Sequence, residues 1–173
     1  MDLASGTLKY CLLSDLADER VSQLTNSFSC SNHTIDQYLK NEAYLDHYEF
    51  KANTTLVFAN DNFIGYFTSK QDTIKINTDG RNCLSIERLG IQTECQRKGN
   101  GSTILKFIVA MAEMFNQRYI TIDSVWEYRK FYFDRGFRPF ISEEYNQPNK
   151  TGLVYMFIDL YDEEKVSYLY DNP

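Results

Sequence analysis

Residues 83–115 constrain the fold of this chain more than any other stretch. An apolar strand candidate, Cys83–Ile91, runs into a polar loop with two glycines, and the loop opens directly into a helical pattern, Gly101–Phe115. Helical spacing places the apolar side chains of that segment on one face, which is typical of a helix that packs on a core. A strand, a loop and a helix in this order predict a sheet covered by helices.

The loop between the strand and the helix has the chemistry of an anion site. Its residues are Gln96, Arg97, Lys98, Gly99, Asn100, Gly101 and Ser102. The first backbone N–H groups of a helix have no partner within the helix, and the helix dipole favours negative charge there. Glycines let the backbone approach a ligand closely, while the arginine and the lysine add positive charge. The loop therefore predicts a binding site for a diphosphate.

Two common diphosphate motifs do not fit this loop. The dinucleotide pattern G-x-G-x-x-G fails at Ile104, and no Gly-Lys-Ser/Thr follows the spacer that a P-loop requires. What remains is Q-x-x-G-x-G between a strand and a helix, carried by Gln96, Gly99 and Gly101. This pattern resembles the acetyl-CoA loop of the GNAT superfamily of N-acetyltransferases. A surface loop with capping glycines is the competing interpretation of these six residues.

A second motif lies about thirty residues downstream. Residues 131–137, Phe-Tyr-Phe-Asp-Arg-Gly-Phe, are similar to the F-Y-x-x-x-G-F segment of the same family. The resemblance implies that Tyr132 stands near the coenzyme sulfur, whereas Phe131 and Phe137 are expected to pack in the core. An aromatic helix end that only packs is the competing interpretation. The asparagine often found before the F-Y pair is absent, and Val125-Trp126-Glu127 stands there instead.

The resemblance covers residues 54–160 and implies a fold and a coenzyme. The fold class is α/β (α+β), with a GNAT-like mixed, mostly antiparallel central sheet and helices on both faces. The cosubstrate is acetyl-CoA, and no metal is involved. Backbone groups of Leu89 and Ile91 are expected to pair with the pantetheine arm like an added strand, and Gly90 is expected to permit a bulge. Residues 96–102 would then hold the diphosphate.

The resemblance also implies a direct attack of an amine on the thioester, without an acyl-enzyme. Cys83 and Cys95 are then not needed as nucleophiles. Tyr132 is the candidate acid, because a phenol is protonated at neutral pH and donates to a thiolate. Glu87 is the candidate base, directly or through water, and an ion pair with a basic residue is its competing role. Ser85, on the same strand face, is an alternative that positions water.

Periodicity predicts the remaining elements. A helix capped by Ser31 or Asn32 should run to about Tyr48, and a polar loop precedes the helix of residues 101–115. The other predicted elements are a short strand at Leu8–Leu12, three strands at Thr54–Ala59, Phe63–Ser69 and Thr73–Asn77, a strand at Tyr119–Ser124, a helix at Glu127–Arg135 and a last strand at Leu153–Leu160. With no repeat or linker, residues 1–160 are expected to form one acetyltransferase domain, followed by an acidic tail, 161–173, that is a loose helix or disordered.

Composition limits the partners and the compartment. The chain has 18 Lys and Arg against 24 Asp and Glu, and the net charge of −6 disfavours non-specific nucleic-acid binding. Its four cysteines have no metal-type spacing to His33 or His47. No apolar run approaches the ~20 residues of a membrane span. With no leader-like segment at the start, the sequence predicts a cytosolic protein with reduced thiols.

A narrower resemblance concerns the acceptor. Residues 28–30, 35–43 and 64–68 are similar to one GNAT branch that includes the acetyltransferase toxins of bacterial toxin–antitoxin pairs. A helix stripe followed by a core strand also explains these residues. Three functions stay open: acetylation of a small or peptide amine, acetylation of an aminoacyl-tRNA, and CoA binding without catalysis. The acidic charge disfavours tRNA, and acceptor choice is expected at residues 45–53 and 138–151. Whether the protein forms a homodimer stays open.

Overall fold

The computed structural model describes residues 7–172. Seven strands form one sheet: β1 (Leu8–Leu12), β2 (Asn53–Ala59), β3 (Asn62–Ile76), β4 (Asp79–Ile91), β5 (Tyr119–Val125), β6 (Arg138–Pro139) and β7 (Leu153–Asp159), in the order β1-β2-β3-β4-β5-β7-β6. The helices are α1 (Asp18–Ser27), α2 (His33–Asn41), α3 (Ala43–Tyr48), α4 (Asn100–Met114), α5 (Arg129–Phe133) and α6 (Glu163–Asp171). Strands β4 and β5 are parallel, whereas β1–β2, β2–β3, β5–β7 and β6–β7 are antiparallel. The predicted fold class is confirmed.

The chain divides into two compact units. The N-terminal unit consists of Met1–Lys70 and Glu87–Asn100, and the C-terminal unit of Gln71–Ile86 and Gly101–Pro173. The N-terminal unit contains the segment that is expected to bind the coenzyme, and the C-terminal unit contains the F-Y motif. The division into a domain at 1–160 and a tail remains a prediction. Among residues 7–172, no helix combines the length and the apolar content needed to cross a membrane.

The N-terminal unit is built on the meander of β1, β2 and the first part of β3. The turn between β2 and β3 is made by Asn60 and Asp61, both in the left-handed region with φ of 49° and 63°, which asparagine and aspartate tolerate better than most residues. One apolar cluster lies between this sheet segment and the first helices: Leu13, Val21, Leu24, Phe28, Leu39, Leu56 and Tyr66 are among its buried members. Each large apolar side chain buried in this way stabilises the fold by about 1.5–3 kcal/mol.

The predicted helix from Ser31 or Asn32 to about Tyr48 is two helices. Asn32 is the N-cap of α2, where its side chain accepts a hydrogen bond from the backbone N–H of Ile35 at 3.2 Å. Glu42 leaves the helical conformation, with φ −121°, and separates α2 from α3. The Tyr38 hydroxyl of α2 then donates to the Asp46 carboxylate of α3 at 3.0 Å. A side-chain hydrogen bond thus joins the two short helices across the break.

The C-terminal unit is built around β5. Its parallel register with β4 joins Cys83–Ile86 to Tyr119–Ile122, and β7 pairs along its whole length on the other side. Helix α4 buries the face that its sequence predicts, with Ile104, Leu105, Ile108 and Ala112 among the buried residues. The predicted strand Thr73–Asn77 is the end of the long strand β3 rather than a separate element.

The predicted acidic tail contains an ordered helix. Asp162 caps α6 by accepting a hydrogen bond from the Lys165 backbone N–H at 3.2 Å. Leu169 of this helix is fully buried. At Gly136, with φ +92°, an added Cβ would lie 2.0 Å from the Lys165 carbonyl oxygen. Helix α6 thus packs closely on the turn that follows α5.

Candidate coenzyme and catalytic site

The strand segment predicted to pair with pantetheine lies where two glycines, Gly65 of β3 and Gly90 of β4, come close together. A Cβ on Gly65 would lie 2.5 Å from the Gly90 carbonyl oxygen and 3.1 Å from the Ile91 Cα. A Cβ on Gly90 would meet Ile35 and Phe28 atoms at 2.9 Å. Position 65 therefore requires glycine, because its Cβ would meet the backbone of β4, whereas a Cβ on Gly90 would meet side-chain atoms of Phe28 and Ile35 that would have to shift.

Leu89, Gly90 and Ile91 lie at the end of β4. Gly90 is buried, and its two neighbours are half-buried. The parallel register of β4 with β5 ends at Ile86. The structure thus gives Gly90 a close-packing role on the β3 side, while pairing of Leu89 and Ile91 with pantetheine stays a prediction.

Gln96, the first residue of the loop motif, has a structural role in the N-terminal unit. Its side-chain nitrogen Nε2 donates to the carbonyl oxygens of Cys30 and Ile91, both at 2.9 Å. The glutamine therefore ties the loop to the end of β4 and to the segment before α2. Thr93 adds a second tie, because its backbone N–H donates to the Ser29 carbonyl at 3.0 Å.

Two residues of the loop, Arg97 and Gly99, have backbone angles in the left-handed region. Arg97 has φ 58° and Gly99 has φ 80°, and a Cβ on Gly99 would meet nothing within 4 Å. Gly99 is thus needed for its backbone angle and not for space. The side chains of Arg97 and Lys98 are exposed. Successive residues of this kind direct backbone N–H groups toward one side, which is the geometry of an anion-binding nest.

Asn100 and Gly101 begin α4, as the sequence predicts. The Asn100 side chain donates to the Cys95 carbonyl at 2.8 Å and closes the loop from within. Gly101 is half-buried in the first turn of α4. The motif therefore forms the predicted loop that leads into a helix N-terminus.

Ser102 is the last residue predicted to bind the coenzyme, and its hydroxyl is hydrogen-bonded to another residue of the C-terminal unit. Its side chain is buried, and the hydroxyl accepts a hydrogen bond from Arg135 Nε at 2.8 Å. Arg135 Nη1 also donates to the Phe131 carbonyl at 2.9 Å, and the guanidinium carbon lies 3.9 Å from the centre of the Phe131 ring. No sequence pattern selects Arg135, because it occupies a variable position of the F-Y-x-x-x-G-F motif.

Tyr132 lies on α5 and is 6% exposed. Its ring packs edge-on against Phe131 and Phe137, with centroid distances of 5.0 and 5.7 Å. Burial raises the pKa of Tyr132 above its usual value, and the positive charge of Arg135 opposes this rise. The phenol therefore keeps its proton at neutral pH. Within residues 7–172 no hydrogen bond to its hydroxyl is found.

Glu87, the candidate base, forms an ion pair. Its carboxylate oxygen Oε2 lies 3.3 Å from Lys70 Nζ, and the two side chains are 29% and 37% exposed. This is the competing role that the sequence left open for Glu87. Ser85 is buried in the C-terminal unit. The role of either residue in catalysis stays a prediction.

Trp126 belongs to the segment Val125-Trp126-Glu127, which stands before the F-Y pair where the family often has an asparagine. The Arg129 guanidinium lies 3.4 Å from the centre of the Trp126 ring and donates to the Tyr145 and Trp126 carbonyls. The indole Nε1 is enclosed, and it has no hydrogen-bond acceptor among the residues that the structure describes. This segment thus contributes an enclosed indole nitrogen, and none of its three residues supplies a side-chain amide.

The cysteines do not have the features of nucleophiles. Burial raises the pKa of the Cys95 thiol, and the charge of Glu94 raises it further. Cys83 is buried in the C-terminal unit. Reactive cysteines usually have a lowered pKa and partial exposure. In the described part of the chain, no group of three or more His, Cys, Asp and Glu side chains is placed to hold a metal.

Comparisons with known proteins identify the family. The sequence profile of the acetyltransferase (GNAT) domain matches residues 12–156. No curated protein sequence gives a significant match.

Among solved structures, a bacterial toxin is 15% identical, with 98% of each chain covered and a TM-score of 0.75. AtaTR bound with acetyl-CoA is 16% identical, with 94% of this chain and 98% of that chain covered and a TM-score of 0.68. AtaT complexed with acetyl-methionyl-tRNAfMet is 16% identical, with 91% and 97% covered and a TM-score of 0.69. Identities this low show a shared fold. Because the family profile covers most of the sequence, the chain belongs to the GNAT acetyltransferases.

Proposed function

We propose that this acetyltransferase moves the acetyl group of acetyl-CoA to a primary amine by direct attack. Family membership supplies the reaction class and the acetyl donor. The observation that carries the proposal is the loop of residues 96–100: it is tied down by Gln96 and Asn100, takes left-handed angles at Arg97 and Gly99, and opens into α4. An ordered nest before a helix N-terminus suits a diphosphate.

In the proposed reaction the neutral amine attacks the carbonyl carbon of the thioester. A C–N bond forms, the C–S bond breaks, and the electron pair of the C–S bond leaves on the thiolate. Tyr132 donates its proton to this thiolate, and a base removes one proton from the nitrogen. The raised pKa of Tyr132 keeps the donor protonated until the thiolate forms. The raised pKa of Cys95 supports a reaction without an acyl-enzyme.

Glu87 remains our candidate for the base. Its ion pair with Lys70 is partly exposed, so the pair contributes little to stability. An ionised carboxylate accepts a proton either from the amine or through a water molecule. Ser85 is the alternative group that would position such a water.

Coenzyme binding is the first test. Acetyl-CoA should raise the melting temperature, because a ligand of the folded state at about 100 times its Kd stabilises that state by about 2.7 kcal/mol. Gly101→Val should remove most of this shift by blocking the backbone approach to the diphosphate. Tyr132→Phe should keep the shift and lower turnover by ~100-fold or more. Wild-type binding by Gly101→Val would contradict the loop assignment.

For the acceptor we favour a small or peptide amine. The chain carries a net charge of −6, and we assign the exposed cations Arg97 and Lys98 to the coenzyme phosphates. A tRNA-binding enzyme must instead neutralise several phosphates. The intact Tyr132 disfavours a CoA-binding module without catalysis.

Acetylation of an aminoacyl-tRNA is the second candidate function. The branch-like segments at residues 28–30, 35–43 and 64–68 favour it, together with the fold shared with AtaT, which has been solved with acetyl-methionyl-tRNAfMet. The test is induced expression in bacteria, with Tyr132→Phe as the control, and analysis of aminoacyl-tRNA. Growth arrest by the wild type alone, with acetylated aminoacyl-tRNA, would make this candidate the correct one. Mass measurement in solution tests the proposed homodimer.

A further inference from the structure

Arg135 connects the two parts of the C-terminal unit that the reaction uses. Its Nε–H donates to the Ser102 hydroxyl in the first turn of α4, at 2.8 Å. Its Nη1–H donates to the Phe131 carbonyl on α5, at 2.9 Å, and its backbone N–H donates to the Tyr132 carbonyl at 3.0 Å. One side chain therefore fixes α5 relative to the start of α4.

Hydrogen bonds and an aromatic ring together hold the Arg135 guanidinium in its orientation. Two of its nitrogens are held by hydrogen bonds, and its plane is supported by the Phe131 ring, whose centre lies 3.9 Å from the guanidinium carbon. Charge-assisted hydrogen bonds and cation–π contacts are both stronger when the groups are withdrawn from water. The Ser102 acceptor is only 2% exposed. These contacts thus hold the half-buried guanidinium of Arg135 in one geometry.

The charge of Arg135 acts on Tyr132. Burial raises the pKa of the phenol, and Arg135 is the group that opposes this effect. Proton donation to a thiolate leaves negative charge on the phenol oxygen. A fixed cation stabilises that charge without any rearrangement during the reaction.

We propose that Arg135 is a positioning residue for acetyl transfer, which holds the Tyr132 turn against the first turn of α4 and stabilises the phenol oxygen as its proton passes to the departing thiolate. The inference rests on the proposed role of Tyr132 as the acid. In this step the O–H bond of Tyr132 breaks, an S–H bond forms on CoA, and the negative charge moves from sulfur to the phenol oxygen, where the positive charge of Arg135 stabilises it. A proton from solvent restores the phenol.

The test is a double-mutant cycle on turnover. Wild type, Arg135→Gln, Tyr132→Phe and the double variant are compared by CoA release with acetyl-CoA as donor. The acceptor is whichever of a small amine, a peptide with a free amino terminus and an aminoacyl-tRNA gives the fastest release. We expect Arg135→Gln to lower kcat roughly 10-fold and to have no further effect in the Tyr132→Phe background, because residues that act as a unit are not additive. Independent, multiplicative losses would overturn the inference.

Two further variants separate charge and geometry from folding. Arg135→Lys keeps the charge without the planar fork and should recover part of the lost kcat. Ser102→Ala removes only the acceptor of Nε–H, so it should lower kcat less than Arg135→Gln and should also lose its effect beside Tyr132→Phe. If Arg135→Gln does not fold, the Ser102→Ala cycle decides, and multiplicative losses there overturn the inference.

Failure of the inference differs from failure of the proposed function. If no acceptor releases CoA, or if Tyr132→Phe turns over like the wild type, the proposed reaction or its acid is wrong. If Tyr132→Phe is slow while Arg135→Gln matches the wild type in kcat, only the role of Arg135 is wrong.

Discussion

Gly65→Ala is the substitution whose effect follows most directly from the structure. The new Cβ would lie 2.5 Å from the Gly90 carbonyl oxygen. An ordinary contact between a carbon and a carbonyl oxygen is ~3.3 Å or longer, so the two strands would have to separate by about 0.8 Å. The new Cβ would meet two backbone atoms, the Gly90 carbonyl oxygen and the Ile91 Cα, so no rotation of a flexible side chain relieves the contact.

The separation has a calculable consequence next to the clash. The backbone N–H of Gln92 donates to the Ile64 carbonyl at 2.8 Å, and a shift of about 0.8 Å takes that bond past the limit for a hydrogen bond. Losing it removes about 1 kcal/mol, and overpacking costs ~1–3 kcal/mol. With roughly 2–4 °C per kcal/mol for a chain of this size, we expect the melting temperature to fall by about 5–15 °C.

The assay is thermal unfolding with and without acetyl-CoA. Gly65→Ala should also weaken acetyl-CoA binding, because it displaces the strand segment at Leu89 and Ile91. The matched control is Gly152→Ala: its φ of +69° imposes a backbone penalty of ~1–2 kcal/mol, but its Cβ meets nothing within 4 Å. That control should bind acetyl-CoA like the wild type. Unchanged stability and unchanged binding in Gly65→Ala would refute the argument.

Three other changes have defined outcomes. Gln96→Ala removes two hydrogen bonds to backbone carbonyls and should lower the free energy of unfolding by ~1–2 kcal/mol and weaken acetyl-CoA binding, as calorimetry would show. His47 accepts the Thr54 backbone N–H through Nδ1, and burial lowers its pKa from 6.5; its contribution to stability is therefore present above pH 6.5 and lost as the pH falls toward the lowered value. Urea unfolding at pH 7.5 and 5.5 measures the loss of unfolding free energy on acidification, and this loss should be smaller in His47→Asn than in the wild type. Glu87→Gln should remove the acidic limb of the pH–rate profile, whereas Lys70→Met should retain it. If the two variants change the profile equally, the ion pair has only a structural role.

Sequence periodicity predicted most of the fold because most elements bury a regular apolar face. Helix α4 was predicted at 101–115 and lies at Asn100–Met114. Polar side chains explain the two errors along β3 and β4. Lys70, Gln71 and Asp72 suggested a gap, yet β3 runs through them because a backbone ladder does not depend on side-chain polarity. The turn between β3 and β4 falls at Asn77 and Thr78, which take φ of 49° and 77°, so the strand predicted to end at Asn77 ends at Ile76.

The candidate site shows a different limit. The positions of the loop and of the F-Y motif follow from local patterns, and the structure puts both in the expected elements. Contacts between side chains distant in sequence do not follow from such patterns. Gln96 binds the Cys30 carbonyl, 66 residues away, and Arg135 binds Ser102, 33 residues away. In neither case do the two bonded residues belong to the same sequence motif or to the same periodic pattern of apolar residues.

Tyr132 illustrates how stability and function separate in this site. A hydroxyl that makes no hydrogen bond within the protein contributes little to the stability of the fold. Tyr132 is 6% exposed, and its hydroxyl makes no hydrogen bond within residues 7–172. Tyr132→Phe should therefore change the free energy of unfolding by less than ~1 kcal/mol, while turnover falls. Urea unfolding beside single-turnover kinetics measures both quantities on the same samples. A loss of stability larger than about 1 kcal/mol would give the hydroxyl a structural role, because removing an unbonded group should not destabilise the fold.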